Sequence, residues 1–279
     1  GPHGSLLAAK AIGMEACGEI IALGEQVTHF KLGDPVTGRC AAAFSDFGLM
    51  TELEAMPLPK SLSWVQGAAI PITVMVSHDM LVSQGNLQPG QWVLISGVSS
   101  GVGVSCLQLA KAIGAKVIGT SGSARKLDLL KAHGLDAGIF TREGNFYEEV
   151  MSLTSGKGAS LIINAVGGSL LPEQIRSAAF QGKIAIVGYV DGILNACIDI
   201  ETIHAKRLHI FGVSNKFRTP DQRANSIAEF IKDFLPLFAE GKILPVIDKV
   251  YPLTSIEEAI GYIKENQHVG KVVLDHQIK

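Results

Sequence analysis

Residues 92–126, WVLISGVSSGVGVSCLQLAKAIGAKVIGTSGSARK, constrain the fold more than any other stretch of this chain. An apolar strand over Trp92 to Ser96, a Gly/Ser turn, an apolar helix over 101–113 and a second strand over 116–120 follow in that order. Gly97, Gly101 and Gly103 can take positive φ or let a ligand approach the backbone. The helix then aims free N–H groups and its positive dipole end at whatever sits above the turn. This order predicts a dinucleotide cradle in which residues Gly97, Val98, Ser99, Ser100, Gly101, Val102 and Gly103 face a pyrophosphate. The strict G-x-G-x-x-G is absent, because Val98 and Ser100 stand where its first two glycines would be, so the weight rests on the strand–turn–helix context. The Ser100 hydroxyl is expected to reach a phosphate oxygen. The alternative is an ordinary βαβ turn whose glycines serve packing alone.

A site for NAD usually carries an acid about 20 residues past the turn, on the ribose 2′-OH. Here the second strand ends in Ser121, Ser123, Arg125 and Lys126, and the first acid is Asp128. Hydroxyls and cations can hold a 2′-phosphate that a carboxylate would repel, which predicts NADPH as the cofactor. The competing reading of Arg125 and Lys126 is a solvated first turn of a helix, where cations are mildly unfavourable without an anion to hold.

Strand and helix signals alternate onward from there. Strands are predicted at 137–140, 160–166, 183–188 and 208–213, and helices at 124–133, 145–155 and 170–180. Apolar strands separated by helices imply a parallel sheet buried on both faces. The segment 12–58 instead shows short apolar runs with turn signals, as in an all-β unit. After Asn215 the pattern predicts a long helix over 221–240, a strand over 246–251, a helix over 255–265 and a last strand over 270–274.

With 47% hydrophobic and 18% charged residues in 279, the chain can bury two moderate cores. A net charge of −2 offers no electrostatic reason to expect a nucleic acid or an anionic membrane as partner. No apolar run reaches the roughly 18 residues of a membrane span, and no signal-peptide pattern opens the chain, so a cytoplasmic protein is expected. Gly1–Ser5 reads as a cleavage scar or linker. Cys17, Cys40, Cys106 and Cys197 stand far apart, without a metal-binding spacing, and read as reduced thiols.

The ordered segments GMEACGEIIALGEQVTHFKLGDPV (13–36), AFSDFGLMTELEAMPLP (43–59), GVSSGVG (97–103), NAVGG (164–168), GKIAIVGYVDG (182–192) and HVGKVVL (268–274) resemble the medium-chain dehydrogenase/reductases, specifically their zinc-free quinone oxidoreductase-like branch. The resemblance implies an α/β fold, a Rossmann doubly wound parallel sheet inserted in a GroES-like β-rich catalytic domain. The domains would be 6–80 (catalytic, partial), 81–215 (NADP-binding) and 216–279 (return to the catalytic domain). It also implies that the first strands of the catalytic domain, which relatives carry ahead of the G-M-E element, are missing here. Zinc-dependent relatives have G-H-E with a metal-binding His; this chain has Gly13-Met14-Glu15 and lacks the multi-cysteine lobe, so no metal is expected.

Carried over residue by residue, the resemblance places Asn164 and Val166 under the riboses, Gly188 and Tyr189 in the loop after the fifth strand, and Val213 and Asn215 beside the nicotinamide. Tyr189 equally reads as a residue capping a strand end. Where relatives often have Tyr near the 2′-phosphate, this chain has Thr141, followed by Arg142. In the segment 71–81 His78 replaces the family Tyr; a histidine facing the cleft could donate to the substrate carbonyl or shuttle a proton, and His78 is the sole catalytic candidate. Its alternative is a helix residue with a satisfied ring. His268 stands where some relatives carry the Asn of N-x-G-K, with Lys271 retained; Lys271 also reads simply as the start of the last strand.

The function implied is NADPH-dependent hydride transfer to a quinone or an α,β-unsaturated carbonyl without metal, by a homodimer acting on a small molecule. Two alternatives stand beside it: an enoyl-thioester reductase of fatty-acid or polyketide metabolism, and a non-catalytic NADPH-binding protein.

Overall fold

The computed structural model describes residues 12–278, so Gly1–Ser5 and the first residues of the 6–80 unit lie outside it. In chain order the elements are β1 (Glu15–Glu19), β2 (Pro35–Arg39), β3 (Ala55–Pro57), α1 (Trp64–Ala68), α2 (Pro71–His78), β4 (Trp92–Ser96), α3 (Gly101–Ile113), β5 (Lys116–Ser121), α4 (Ala124–Lys131), β6 (Ala137–Phe140), α5 (Tyr147–Leu153), β7 (Ala159–Asn164), α6 (Leu171–Ser177), β8 (Ala178–Ile186), α7 (Ile200–Lys206), β9 (His209–Gly212), α8 (Pro220–Asp233), α9 (Leu235–Ala239), β10 (Ile247–Pro252), α10 (Ile256–Lys264) and β11 (Lys271–Asp275).

Strands β4 to β9 form one six-stranded parallel sheet in the order β6-β5-β4-β7-β8-β9. The period-2 alternation of each strand sorts its side chains into two layers. Val93, Ile95, Val117, Leu161 and Ile163 face one core, shared with Leu107 of α3 and Phe230 of α8. Leu94, Ile118, Ile162 and Ile184, aligned by register across neighbouring strands, face a second core with Val150 of α5 and Ile175 of α6. All of these are at most 1% exposed, which explains why the strands read as continuous apolar runs.

Strands β1, β2 and β3 make an antiparallel sheet, and β10 pairs in parallel with β11. The buried carboxylate of Glu54 joins this lobe to α8 through Arg223 and also pairs with Arg39. No helix among the described residues is long and apolar enough to cross a membrane.

Three predicted elements differ by more than two residues. The helix expected over 170–180 ends at Ser177, and β8 begins at Ala178, ahead of the predicted 183; the Lys206 ammonium holds the carbonyls of Arg176 and Ala178 at this junction. The helix expected over 221–240 is two helices, broken at Phe234 (φ −123°). Pro236 has no N–H for a helical bond and its ring clashes with the carbonyl one turn back, so the chain restarts as α9.

Candidate functional site

Strand order reverses between β4 and β7, where Ser96 lies opposite Asn164, and a ligand crevice is expected beyond those carboxyl ends. The turn that follows β4 is tight. Gly97 has φ +72°, and a Cβ on Gly103 would stand 2.5 Å from the Gly97 carbonyl oxygen, so glycine is needed there for close helix–strand packing. Val98 is fully buried and its N–H donates to Thr120, which removes it from direct ligand contact. Ser100 is the N-cap of α3: its Oγ accepts from the Gly103 N–H at 3.0 Å. The N–H groups of Gly101 and Val102 in the first helical turn are left without intrahelical acceptors and point out of the positive helix end. The sequence assigned the Ser100 hydroxyl to a ligand; here its oxygen serves the helix first, and only its proton is free to donate outward.

The residues expected to hold a 2′-phosphate lie at the end of β5 and in the first turn of α4. Ser123 caps α4, and the Ser121 hydroxyl accepts from the Ser123 N–H. Thr141 donates its N–H to Ser121, and its hydroxyl accepts from Gly144, so it shapes the pocket wall through the backbone. Lys126 is only 4% exposed, which contradicts a solvated position for it, whereas Arg125 is exposed. Its ammonium reaches the Asn266 carbonyl at 2.6 Å and the Asn266 Oδ1 at 3.3 Å, while the Arg125 guanidinium donates to the Gln267 carbonyl at 3.1 Å. Burial, and then the neighbouring Arg125, push the Lys126 pKa down; Asp248 opposes this. His268 lies beside this group with a buried Nδ1 that has no partner, and burial followed by the Lys126 charge lowers its pKa.

The segment 266–271 runs past the turn after β4. The Gly270 N–H donates to the Ser99 carbonyl, Ser100 and Gly270 form an isolated parallel bridge, and the Lys271 ammonium pairs with Glu15. The other oxygen of Glu15 accepts from the Ile72 N–H at the start of α2. Lys271 therefore does more than begin a strand: it ties β11 to β1 beside the turn.

Across the switch point, the Asn164 side chain is consumed by its own loop. Its Oδ1 accepts from Val166 and Gly167, and its Nδ2 donates to the Gly167 carbonyl. The Asn164 carbonyl accepts from Val187 and Gly188, and Val213 donates to Ile186, so the loops after β7, β8 and β9 are joined by backbone. Asn215, just beyond, holds a buried Oδ1 without a partner. Tyr189 is 65% exposed.

His78 is not on a cleft. It is fully buried, its ring meets Phe234 edge-on at 5.8 Å, and its Nδ1 stands 3.4 Å from the Ser83 hydroxyl while Nε2 has no partner. The replacement of an aromatic by histidine gave no hint of the face it occupies. A cleft of about 850 Å³ is lined by residues drawn from 13–68 and 253–276, including Met14, Cys17, Phe44 and Lys271, and by none of the turn residues. Among the described residues no group of three or more His, Cys, Asp or Glu stands close enough to hold a metal.

Three contributors escaped the sequence. Glu15 was visible in the G-M-E element without a role, whereas Asn266 and Gln267 carry no local signal because they meet Lys126 and Arg125 from about 140 positions away.

A nicotinamide dinucleotide fits these residues. Two orphaned buried polar atoms stand on either side of the free α3 N-terminus in the strand order: His268 Nδ1 beside Lys126, near the end of β5, and Asn215 Oδ1 just after β9.

Residues 6–56 match the alcohol dehydrogenase GroES-like domain and residues 101–232 the zinc-binding dehydrogenase family. A quinone oxidoreductase-like protein 2 homolog of Nematostella vectensis is 31% identical over 94% of this chain and 72% of its own length. A highly reducing polyketide synthase of Emericella nidulans is 30% identical over 93% of this chain, which spans only 10% of that protein. A mycobacterial protein solved in complex with NADPH superposes with a TM-score of 0.84 at 25% identity, over 95% of this chain and 82% of its own. The chain belongs to the medium-chain dehydrogenase/reductase superfamily, in its quinone oxidoreductase-like branch.

Proposed function

We propose that this chain binds NADPH along the crevice from Lys126 to Asn215 and reduces a small quinone or α,β-unsaturated carbonyl. The observation that carries the reading is the end of β5, where the chain offers Ser121, Ser123, Arg125 and Lys126 before its first acid, Asp128, and where His268 lies beside Lys126. The Gly101 and Val102 N–H groups and the α3 dipole would hold the pyrophosphate. The loop built on Asn164, with Val166 and Gly188, would set the floor beneath the riboses, and Asn215 Oδ1 would accept from the nicotinamide amide. When bound, NADPH would supply the hydride, to the β-carbon of an enone or to the quinone ring system; a proton from water would complete the two-electron reduction. The chain contributes position and exclusion of water, and His78 is given no part, because its ring is sealed in the core. The complex with NADPH of the superposable mycobacterial protein supports this cofactor. We place the domains as expected, at 6–80, 81–215 and 216–279. The expected homodimer is supported by β9, which among the described residues is an edge strand of the six-stranded sheet, with Ile210 37% exposed.

The match to a tenth of a reducing polyketide synthase favours a second reading, reduction of an enoyl thioester within a larger assembly. One set of assays separates them. NADPH consumption is followed with 9,10-phenanthrenequinone, a simple enone and an enoyl thioester, beside NADH controls. Turnover confined to the thioester would replace the first reading with the second. No turnover with any of the three, despite tight NADPH binding, would leave a non-catalytic binding protein.

A further inference from the structure

The two cations assigned to the 2′-phosphate are already engaged. Lys126 donates to both oxygens of Asn266, and Arg125 donates to Gln267. Asn266 adopts φ +51°, a left-handed conformation that side chains other than Asn and Asp rarely take. In it, main-chain and side-chain carbonyls converge on one ammonium, as two oxygens of a phosphate would. Lys126 is buried, whereas Asn266 is exposed at the rim. No aspartate or glutamate forms an ion pair with Lys126 among the described residues; the pairs present lie elsewhere.

We propose that Asn266 is a positioning residue for cofactor selectivity, an internal stand-in for the 2′-phosphate that occupies Lys126 until NADPH displaces it. The inference rests on the reading that Lys126 holds the 2′-phosphate. A buried ammonium without an acceptor is costly, and Asn266 removes that cost in the free protein and with NADH bound. Displacement is possible because the acceptors are neutral and exposed: they regain water when released, and the ammonium exchanges them for a dianion, a stronger partner. A carboxylate at this position would satisfy Lys126 better and resist displacement.

The test is a graded series at position 266, measured by fluorescence titration with NADPH and NADH separately, with thermal melting as the check on folding. Asn266→Asp places a fixed anion on Lys126 and should weaken NADPH about tenfold. Asn266→Gly keeps the left-handed backbone and its carbonyl but removes Oδ1, and should tighten NADPH about two- to threefold. NADH affinity should stay within about twofold in both variants, since it has no group to exchange with Asn266. An NADPH affinity flat across the series, a weaker one in Asn266→Gly, or parallel changes with both cofactors would each overturn the inference. Wild-type protein and Lys126→Ala identify the deeper failure. If wild type does not prefer NADPH, or Lys126→Ala does not weaken it, the phosphate assignment itself is wrong and this inference falls with it. If that control behaves and the series does not, only the role of Asn266 is lost.

Discussion

Replacing Lys126 by Met isolates the phosphate contact from the packing around it. The aliphatic stem of Lys126 is buried with its ammonium at 4% exposure, and Met fills much of the same volume without charge. A hydrogen bond to a charged group contributes about 1.5 to 3 kcal/mol net, and loss of the one between Lys126 and a 2′-phosphate should weaken NADPH about 10- to 150-fold. NADH should move by less than about twofold, because its 2′-OH has no use for the ammonium. Stability should not suffer. The ammonium is desolvated, as its lowered pKa reflects, its acceptors belong to Asn266, an exposed residue that regains water, and among the described residues no carboxylate loses an ion pair. The assay is equilibrium titration of nicotinamide fluorescence with both cofactors, beside a melting curve. Equal weakening of NADH and NADPH would refute the reasoning, since it would place Lys126 outside the one region where the cofactors differ. Unchanged NADPH affinity would refute it as well.

Other perturbations probe the remaining parts. Ser100→Val removes the acceptor for the Gly103 N–H and should cost about 1 kcal/mol of stability while weakening NADPH and NADH alike, by crowding the shared pyrophosphate turn; normal titrations would move the cofactor away from residues 97–103. Burial lowers the His78 pKa from 6.5, so below about pH 6.5 the unfolded chain binds a proton that the folded chain does not, and stability should fall with pH. His268 adds a loss of the same sign. His78→Leu should flatten part of that slope in melting experiments between pH 7 and pH 5, with turnover at pH 7 unchanged; lost turnover in a folded variant would restore His78 to the mechanism. Arg223→Met leaves Glu54 buried with only Arg39, and should cost about 3 kcal/mol in denaturant unfolding with little change in cofactor affinity. A loss under about 1 kcal/mol would show that Arg39 and solvent suffice to satisfy the carboxylate.

The sequence by itself determined the nucleotide-binding half of this protein. Continuous apolar strands from Trp92 to Ile186 can be satisfied only inside a two-sided parallel sheet, and the glycines at 97 and 103 are required by the backbone whatever surrounds them. Ser121, Ser123, Arg125 and Lys126 were legible as a candidate group because six consecutive positions hold them at one strand end. Local pattern could not say which face of α2 carries His78: the residues a turn before it, Val74 and Met75, are apolar while Ser77 and Asp79 beside it are polar, and only the packing of the α8 end set Phe234 against its ring. Nor could it separate the helix-capping duty of Ser100 from a ligand contact, since one hydroxyl serves both and the choice depends on where Gly103 lies. The break in the helix after Asp233 was present in the chain as Pro236, and apolar periodicity masked it. The tertiary structure alone decided the partners of Lys126, Arg125 and Lys271. Those contacts join residues brought together by the return of the chain to the catalytic lobe, and hydrogen bonds spanning 140 or more positions leave no periodicity in the sequence to read.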